Sequence, residues 1–473
     1  MSWEIIFYNA ITYGILTYSV VLLCAYLIIG LYSTFANLQH MRKHSYTEYD
    51  IAASSPIVPS VSVLAPAYNE SATIVENVRS LFSVYYNNIE LVVINDGSKD
   101  DSLRKLVDSY SLVKVPYFVN ERIATKPIRG IYKSTNQSFK NLIVVDKVNG
   151  GKADALNAGL NIASNRYVTC IDVDCVLEQD ALLRMIKPFM SSPDKHVIAA
   201  GGVIRVANSC EIRDGKIVKV HLPRNLLARI QTVEYIRAFL LGRMAWSKLN
   251  GLLIISGAFG MFDRDIAIKC GGYNTKTVGE DMELVVRMRL YMEDAGIPYR
   301  VRYISDPLCW TEVPATYKIL GRQRDRWTRG TIETLLQHKK LFFNPKYKIL
   351  GMLSYPYWFF FEMLAPVVET IGWILFLFLA FLDIINWPFF FVLLFFIITM
   401  GYLFSTLAIT MEVFTFNQYK EARDIRKLFA AILLEPVVFH LFTVGAAVRG
   451  FMRKLFRTDK VWGEMTRKGF KTN

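Results

Sequence analysis

NLIVVDKVNGGKADALNAGLNIASNRYVTCIDVD, residues 141–174, is the stretch that decides the fold. Asn141–Val145 and Tyr167–Ile171 are short, unbroken apolar runs, and Ala153 to Ser164 between them has helical spacing. Strands that are apolar throughout, rather than alternating, belong to sheets buried on both faces. The same unit occurs upstream. Val61–Ala65 runs into Pro66, a helical segment follows from Ala72 to Phe82, and Glu90–Asn95 closes on Asp96-Gly97-Ser98. This alternation predicts an α/β domain with a mainly parallel sheet. Ligands of such sheets bind beyond the carboxyl ends of the strands. Here those ends carry Asn69 and Glu70, then Asp96, then Asp172 with Asp174, so three polar loops are expected to share one edge.

Outward from this centre the composition changes. On the N-terminal side no charged residue falls between Glu4 and Arg42, and residues 11–35 are strongly apolar, long enough to cross a bilayer. A signal peptide would be shorter, with a basic start. The expectation is a signal-anchor helix over 1–44, followed by a Pro-containing linker at 45–60 that opens a domain reaching residue 340. On the C-terminal side a turn at Arg213–Lys216 suggests a hairpin. A helix from about Leu226 to Ser247 carries Arg229, Arg237 and Arg243, with Lys248 just beyond, and reads equally as a surface helix or one lying in the membrane plane. Interfacial and transmembrane helices are expected over 341–450, with apolar runs near 359–382, 388–411 and 429–449, and then a basic tail, 451–473. Four full crossings from an outside N-terminus would leave that tail outside. Its charge argues for the cytoplasm, so the last run, which contains Glu435, Pro436 and His440, is expected to be re-entrant or interfacial.

The 473 residues are 52% hydrophobic, with 55 Lys+Arg against 41 Asp+Glu, a formal charge of +14. Such a balance raises nucleic-acid binding, but the basic residues cluster beside the apolar runs, as at Arg42-Lys43, Lys339-Lys340 and Arg453-Lys454. That is the pattern of a protein facing anionic cytoplasmic lipid, and no nucleic-acid partner is expected. Six cysteines without CxxC spacing argue against a zinc site and against a disulfide framework.

Four signals carry chemistry. Pro66–Glu70 with Asn95–Ser98 offers a carboxylate at a tight turn, suited to a nucleoside. Gly150-Gly151-Lys152 at a helix start suits a diphosphate, although the spacing is not that of a P-loop. Asp172 and Asp174 stand two apart at a strand end and can share a hard cation with phosphate oxygens. Gly279-Glu280-Asp281 opens a helix and supplies a candidate general base. It is followed by Gln323-Arg324-Asp325-Arg326-Trp327, with a stacking face in Trp327 and, in Arg324 or Arg326, a cation for a departing diphosphate. Each alone is common: the turn, the paired aspartates and a core tryptophan all have ordinary structural explanations. Their order is far more specific. Intramembrane Glu369, Glu412 and Glu435 add the expectation of a polar path.

Taken together, these residues resemble the processive family-two glycosyltransferases, the cellulose, chitin, hyaluronan and poly-N-acetylglucosamine synthases. The resemblance spans about residues 60–330 and the flanking apolar helices. It implies a GT-A domain carrying out inverting transfer from a UDP-sugar to a growing β-linked polysaccharide. Asp96 would contact uracil, with Tyr68, Glu70 and Lys152 completing the uridine and diphosphate site. Asp172 and Asp174 would hold pyrophosphate and Mg2+ or Mn2+. Asp281 would be the base, and Gln323, Arg326 and Trp327 would grip the acceptor. Ser256–Gly260 resembles the family's acceptor-side loop, and Val461–Arg467 resembles some members' C-terminal segments. Membrane lipid and an accessory export subunit are the further partners implied, with a bacterial inner membrane as location. No gating loop and no cyclic-dinucleotide-binding domain is recognisable, which weakens cellulose as product. N-acetylglucosamine is the first choice of sugar and glucose the second. A non-processive transferase adding one sugar to a lipid is the main alternative, and a fold retained without catalysis is the other.

Overall fold

The apolar runs at Val61, Glu90, Asn141 and Tyr167 become four neighbouring parallel strands, and these set where everything else lies. The computed structural model describes residues 3–44, 58–191, 195–213 and 215–456. Most of the expected linker, and the tail from residue 457 with its Val461–Arg467 segment, lie outside the described residues.

In chain order the elements are α1 (Trp3–His44), β1 (Val61–Ala67), α2 (Ile74–Phe82), β2 (Ile89–Asn95), α3 (Ser102–Tyr110), β3 (Leu112–Val115), β4 (Ile128–Ser134), β5 (Leu142–Lys147), α4 (Lys152–Ile162), β6 (Tyr167–Ile171), β7 (Val176–Leu177), α5 (Ala181–Met190), β8 (His196–Val206), β9 (Glu211–Arg213) and β10 (Lys216–Lys219). They continue with α6 (226–248), β11 (Phe259–Asp263), α7 (Arg264–Lys269), α8 (Glu280–Asp294), β12 (Tyr299–Thr311) and α9 (Tyr317–Gln337). Last come the apolar helices α10 (Leu350–Met363), α11 (Ala365–Phe381), α12 (Trp387–Thr415) and α13 (Ala422–Leu455).

Among the described residues the main sheet has ten strands in the order β3-β4-β5-β2-β1-β6-β11-β8-β12-β7. Its parallel centre is β5-β2-β1-β6, as the unbroken apolar runs predict. Antiparallel pairings join β11 to β6 and to β8 and add β3 and β4 at one edge, while β12 runs parallel to β8. Val63, Leu64, Leu91–Ile94 and Val144 are fully buried. β9 and β10, on either side of the expected turn, pair in a separate two-stranded sheet.

The helix expected to lie on a surface is instead interior. Ala228, Ile230, Val233, Ile236, Leu240 and Leu241 of α6 are inaccessible. One side of α6 rests on β8, while α1, α12 and α13 cover others, so it is the layer between sheet and apolar helices. Its Arg237 is not a solvated cation but is paired with Glu435 at 2.7 Å. The sequence pattern misleads here because Arg237 meets its acidic partner 198 positions away, while Arg229 bonds the Pro223 and Arg224 carbonyls and Lys248 bonds Gln39.

Three helices are long and apolar enough to cross a membrane, Thr12–Gln39, Trp387–Thr415 and Ala422–Leu455, and α10 with α11 forms a further pair bent by 41°. The sharp break therefore falls at Leu364. Pro436 does not interrupt α13, which continues through a widened π turn at Pro436–His440. α11 and α12 make a hairpin: Phe376 stacks on Phe390 at 4.2 Å near its tip, and Glu412 near its base is buried against Arg205 of β8. Glu412 thus packs against the α/β domain and lines no open path. Glu369 is paired with His440 at 3.0 Å. Both halves of α13 are seated on the same domain, Ala422–Glu435 on α6 and Leu441–Leu455 on α9.

Candidate functional site

The carboxyl ends of β1, β2, β5 and β6 all open on one edge, and the loops beyond them are tied together. The Asn69 N–H donates to Ser98 Oγ at 3.0 Å, and the Lys99 N–H donates to Asn69 Oδ1 at 2.8 Å, so the loop holding Tyr68 and Glu70 is bound to the one holding Asp96. Tyr68 is exposed on the rim, where a flat ring is free to stack. Gly97 sits at φ 68°, and a Cβ there would lie 2.8 Å from the Asn149 nitrogen, so only glycine lets the two loops touch.

Asp96 is 3% exposed, and its carboxylate is well occupied. Oδ1 accepts from Lys147 Nζ and the Gly150 N–H, both at 3.0 Å, and Oδ2 accepts from the Gly151 N–H at 2.8 Å. Asp96 therefore shapes the Gly150-Gly151 turn, with one acceptor position on Oδ2 still open by lone-pair count. Lys147, fully buried, also donates to the Val148 carbonyl at 2.7 Å and to Asp154. Sequence reading passed over Lys147. The available signal was the Asp146-Lys147 pair closing an apolar strand, seven positions before Asp154.

Three motifs far apart in sequence meet at Gly257. Because Phe259 of β11 pairs antiparallel with Ile171 of β6, the 256–258 loop is laid beside Asp172. Lys152, the first residue of α4, donates to the Gly257 carbonyl at 3.0 Å and is ion-paired with Asp172. From the other side the Gly257 N–H donates to Asp281 Oδ2 at 2.9 Å. A Cβ at Gly257 would stand 3.2 Å from Lys152 Nζ and 3.3 Å from Asp281 Oδ2, so both groups approach one backbone position. Burial acts to lower the Lys152 pKa, but Asp172 and Glu280 outweigh it and hold the ammonium above its usual range. Glu280 is 8% exposed. Burial, opposed by Lys152 and reinforced by Asp281, pushes it up to about 7.

Asp281 lies in the first turn of α8, and what fixes that turn is a contact absent from the motif. Gly279 meets Gly330 of α9 so closely that a Cβ on Gly279 would be 2.7 Å from the Gly330 Cα. The GED turn and the helix carrying Gln323, Arg326 and Trp327 are thereby packed backbone to backbone. Trp327 is 40% exposed. The Arg324 guanidinium lies 4.3 Å from its ring centre and is bound to Glu234 at 2.6 Å. Arg324 is thus committed to Glu234 and Trp327, which argues against it as the cation for the diphosphate and leaves Arg326, whose charge acts on Glu280, as the other candidate. Gln323 Oε1 is buried without a hydrogen-bond partner.

Among the described residues no three His, Cys, Asp or Glu side chains gather as a metal site. The chemistry of the pair at β6 nonetheless fits a hard cation. Asp172 and Asp174 are both partly exposed at the strand end. Mg2+ is commonly held by one or two carboxylates with the remaining positions filled by phosphate oxygens and water.

Comparison with known proteins accords with this geometry. The model of glycosyl transferase family group 2 matches residues 167–409, and that of glycosyl transferase family 2 matches residues 62–122. Poly-beta-1,6-N-acetyl-D-glucosamine synthases of Staphylococcus epidermidis and Staphylococcus aureus are each 31% identical over 280 residues, 59% of this chain. The match takes in 56% of each relative, so the chain spans little more than half the length of these curated proteins. A solved structure of the mannosyltransferase PcManGT from Pyrobaculum calidifontis, in complex with GDP-Man and Mn2+, is similar in fold. Its TM-score is 0.51 at 15% identity, covering 94% of this chain and 100% of that one.

Proposed function

The chain belongs to glycosyl transferase family group 2, and on that premise we propose that it is an inverting transferase moving a sugar from a UDP-sugar to a growing β-linked polysaccharide at a membrane. The observation that carries this reading is the meeting of Lys152, Asp172 and Asp281 around the single peptide of Gly257. It supports a reading in which a phosphate-binding cation and a general base flank one anomeric carbon. The names of the Staphylococcus relatives favour N-acetylglucosamine over glucose as the sugar.

In this reading Tyr68 and Glu70 line the uridine site, and Asp96 supports it by holding the Gly150-Gly151 turn. Lys152 binds the diphosphate. Asp172 and Asp174 would hold Mg2+ or Mn2+, which supplies charge neutralisation for the leaving diphosphate. Asp281 accepts the proton of the acceptor hydroxyl as that oxygen forms its bond to the anomeric carbon from the face opposite the diphosphate. The bond from that carbon to the β-phosphate oxygen breaks, its electron pair departs with UDP, and the configuration inverts. Arg326 steadies the departing charge. Trp327, backed by Arg324, presents a ring face to the acceptor sugar, and Gln323 offers its amide to a hydroxyl.

The helix ends that touch the domain support one membrane arrangement. We assign α1, the α10–α11 pair and α12 as the crossings, because the α11–α12 hairpin leaves the domain and returns to it at Glu412. α13, seated on the domain along both halves, lies at the interface. This leaves the basic tail on the catalytic side, in the cytoplasm of a bacterial inner membrane, as positive-inside charge requires. Residues 45–340 form the catalytic domain, and an accessory export subunit is a further partner.

The test is incorporation of labelled sugar from UDP-N-acetylglucosamine and UDP-glucose by the full chain in detergent with Mg2+ or Mn2+. Asp281→Asn should lower transfer by about 10²- to 10⁴-fold, the range contributed by a general base. A long polymer from one donor, absent in the mutant, is the expected result. A single-sugar lipid product would instead establish the non-processive alternative, and an active Asp281→Asn would remove Asp281 as base.

A further inference from the structure

The turn that presents Asp281 is held by a carboxylate that no motif contains. Glu333 lies on α9, one turn beyond Gly330. Its Oε2 accepts from Thr277 Oγ1 at 2.8 Å and from the Val278 N–H at 3.1 Å. Thr277 and Val278 are the residues just before Gly279-Glu280-Asp281. The other oxygen, Oε1, accepts from Lys454 Nζ at 2.8 Å, at the last turn of α13. Glu333 therefore has one oxygen on the turn before the base and the other on the final interfacial helix.

The rest of that helix end is equally committed. Arg453 Nη1 donates to Asp325 Oδ2 at 2.7 Å, and Asp325 is 3% exposed. A Cβ on Gly450 would lie 2.8 Å from the Asp325 carbonyl oxygen, so α13 and α9 touch backbone to backbone there. Burial alone would raise the Glu333 pKa, but its bonds to Lys454, Thr277 and Val278 outweigh it and keep the carboxylate charged. An ionised acceptor makes these bonds about twice as strong as neutral ones.

We infer that Glu333 is a positioning residue for Asp281, and that Lys454 and Arg453 make the seat of α13 on α9 a determinant of where that base stands. The inference rests on reading Asp281 as the base. In this role Glu333 does not act on substrate. It acts by fixing the 277–280 turn against α9, the helix that also carries Gln323, Arg326 and Trp327. Base and acceptor grip are thereby referenced to one rigid body, and that body is referenced to the membrane-side helix. A misplacement of about 1 Å at a reacting group is enough to cost on the order of 10²-fold in rate.

The experiment compares Glu333→Ala, Glu333→Gln, Lys454→Met, the Glu333→Gln/Lys454→Met double variant and Asp281→Asn in the full chain. Transfer from UDP-N-acetylglucosamine gives kcat and the donor KM, and UDP affinity is measured directly. Glu333→Ala is expected to lose about 10- to 100-fold in kcat with donor KM and UDP affinity unchanged. Glu333→Gln retains an oxygen for Thr277 and Val278 and should recover part of that loss. Lys454→Met should lower kcat by a smaller factor, and the double variant should be no worse than Glu333→Gln alone, because both act through one contact. Parental kcat in Glu333→Ala would overturn the inference while a dead Asp281→Asn left the base reading standing. A kcat loss matched by an equal loss of UDP affinity would mean general loosening of the domain and would also overturn it. An active Asp281→Asn would remove the base and the inference with it.

Discussion

The two halves of the proposed site are built by different means. On the donor side, Asp96, Lys147, Asp154 and the Gly150-Gly151 turn form a closed network inside the domain, at strand ends within about 60 positions of one another by simple count along the chain. Lys147 is fully buried and Asp96 nearly so. On the acceptor side, Asp281 is half-buried, Trp327 is 40% exposed, and the supports come from Gly257, Gly330, Glu234, Glu333 and Lys454, spread over more than 200 positions. The donor-side network is thus part of the folding core, whereas the acceptor side is a set of partly exposed groups held by contacts between helices distant in sequence. The difference predicts that damage to the first appears as lost stability and damage to the second as lost turnover.

Lys147→Met should show the contrast most strongly. Removing the ammonium leaves Asp96 and Asp154 facing each other in a nearly dry site, and breaking one partner of a buried ion pair typically costs about 3–5 kcal/mol. The expected result is a large fall in the unfolding temperature of the detergent-solubilised protein, with UDP binding lost alongside. Asp281→Asn in the same assay should unfold where the parent does. A Lys147→Met protein as stable as the parent would show that the donor-side network is not part of the core and would erase the distinction drawn here.

Gly330→Ala probes the joint between the halves of the acceptor side. A methyl group there would meet the Gly279 Cα at 2.7 Å, and backbone cannot move aside as a side-chain tip can. The cost expected of such overpacking is about 1–3 kcal/mol, smaller than that of Lys147→Met. Because the displaced segment carries Asp281, turnover should fall more than stability does. Thermal unfolding and kcat measured on one preparation check this. A variant that lost stability while keeping kcat would separate the Gly279–Gly330 contact from catalysis.

The same division explains what could be read from the chain. The strands at Val61, Glu90, Asn141 and Tyr167 were legible because burial on both faces leaves a continuous apolar run. The polar residues just past each strand were legible because a parallel sheet aligns its carboxyl ends. Asp96, Lys152 and Asp172 come together as that logic requires, and Asp281 joins them through the Gly257 N–H. Arg324 could not be assigned, since its partner Glu234 lies 90 residues earlier on a helix whose interior position its own pattern hides. Lys147, Gly330 and Glu333 leave no local signal beyond a lysine at a strand end, a glycine in a helix and one glutamate among several. The seating of α13 was legible only in part: the charge of the tail set the last apolar run apart from a plain crossing, but Arg237, Asp325 and Glu333, which hold it along both halves, leave no local signal.

A third expected effect concerns Glu280, which lies where the two halves meet. Burial, with Lys152 opposing and Asp281 adding to it, raises its pKa from 4.5 to about 7. Between those values the folded protein keeps a proton that the unfolded chain has released. The folded state therefore binds more protons, and stability must fall as pH rises through that window. Below it both states are protonated and above it both are ionised, so the contribution is level on either side. Glu280→Gln keeps the shape and removes the titration. The unfolding temperature of the variant relative to the parent should therefore climb from pH 5 to pH 7.5, by on the order of a few degrees, and then stop changing. A gap that stays constant across that range would mean that Glu280 is ionised throughout, as it would be if Lys152 served Glu280 more than Asp172. The diphosphate-binding lysine would then be anchored to the acceptor side, and the boundary between the two regions would have to be redrawn through Lys152 itself.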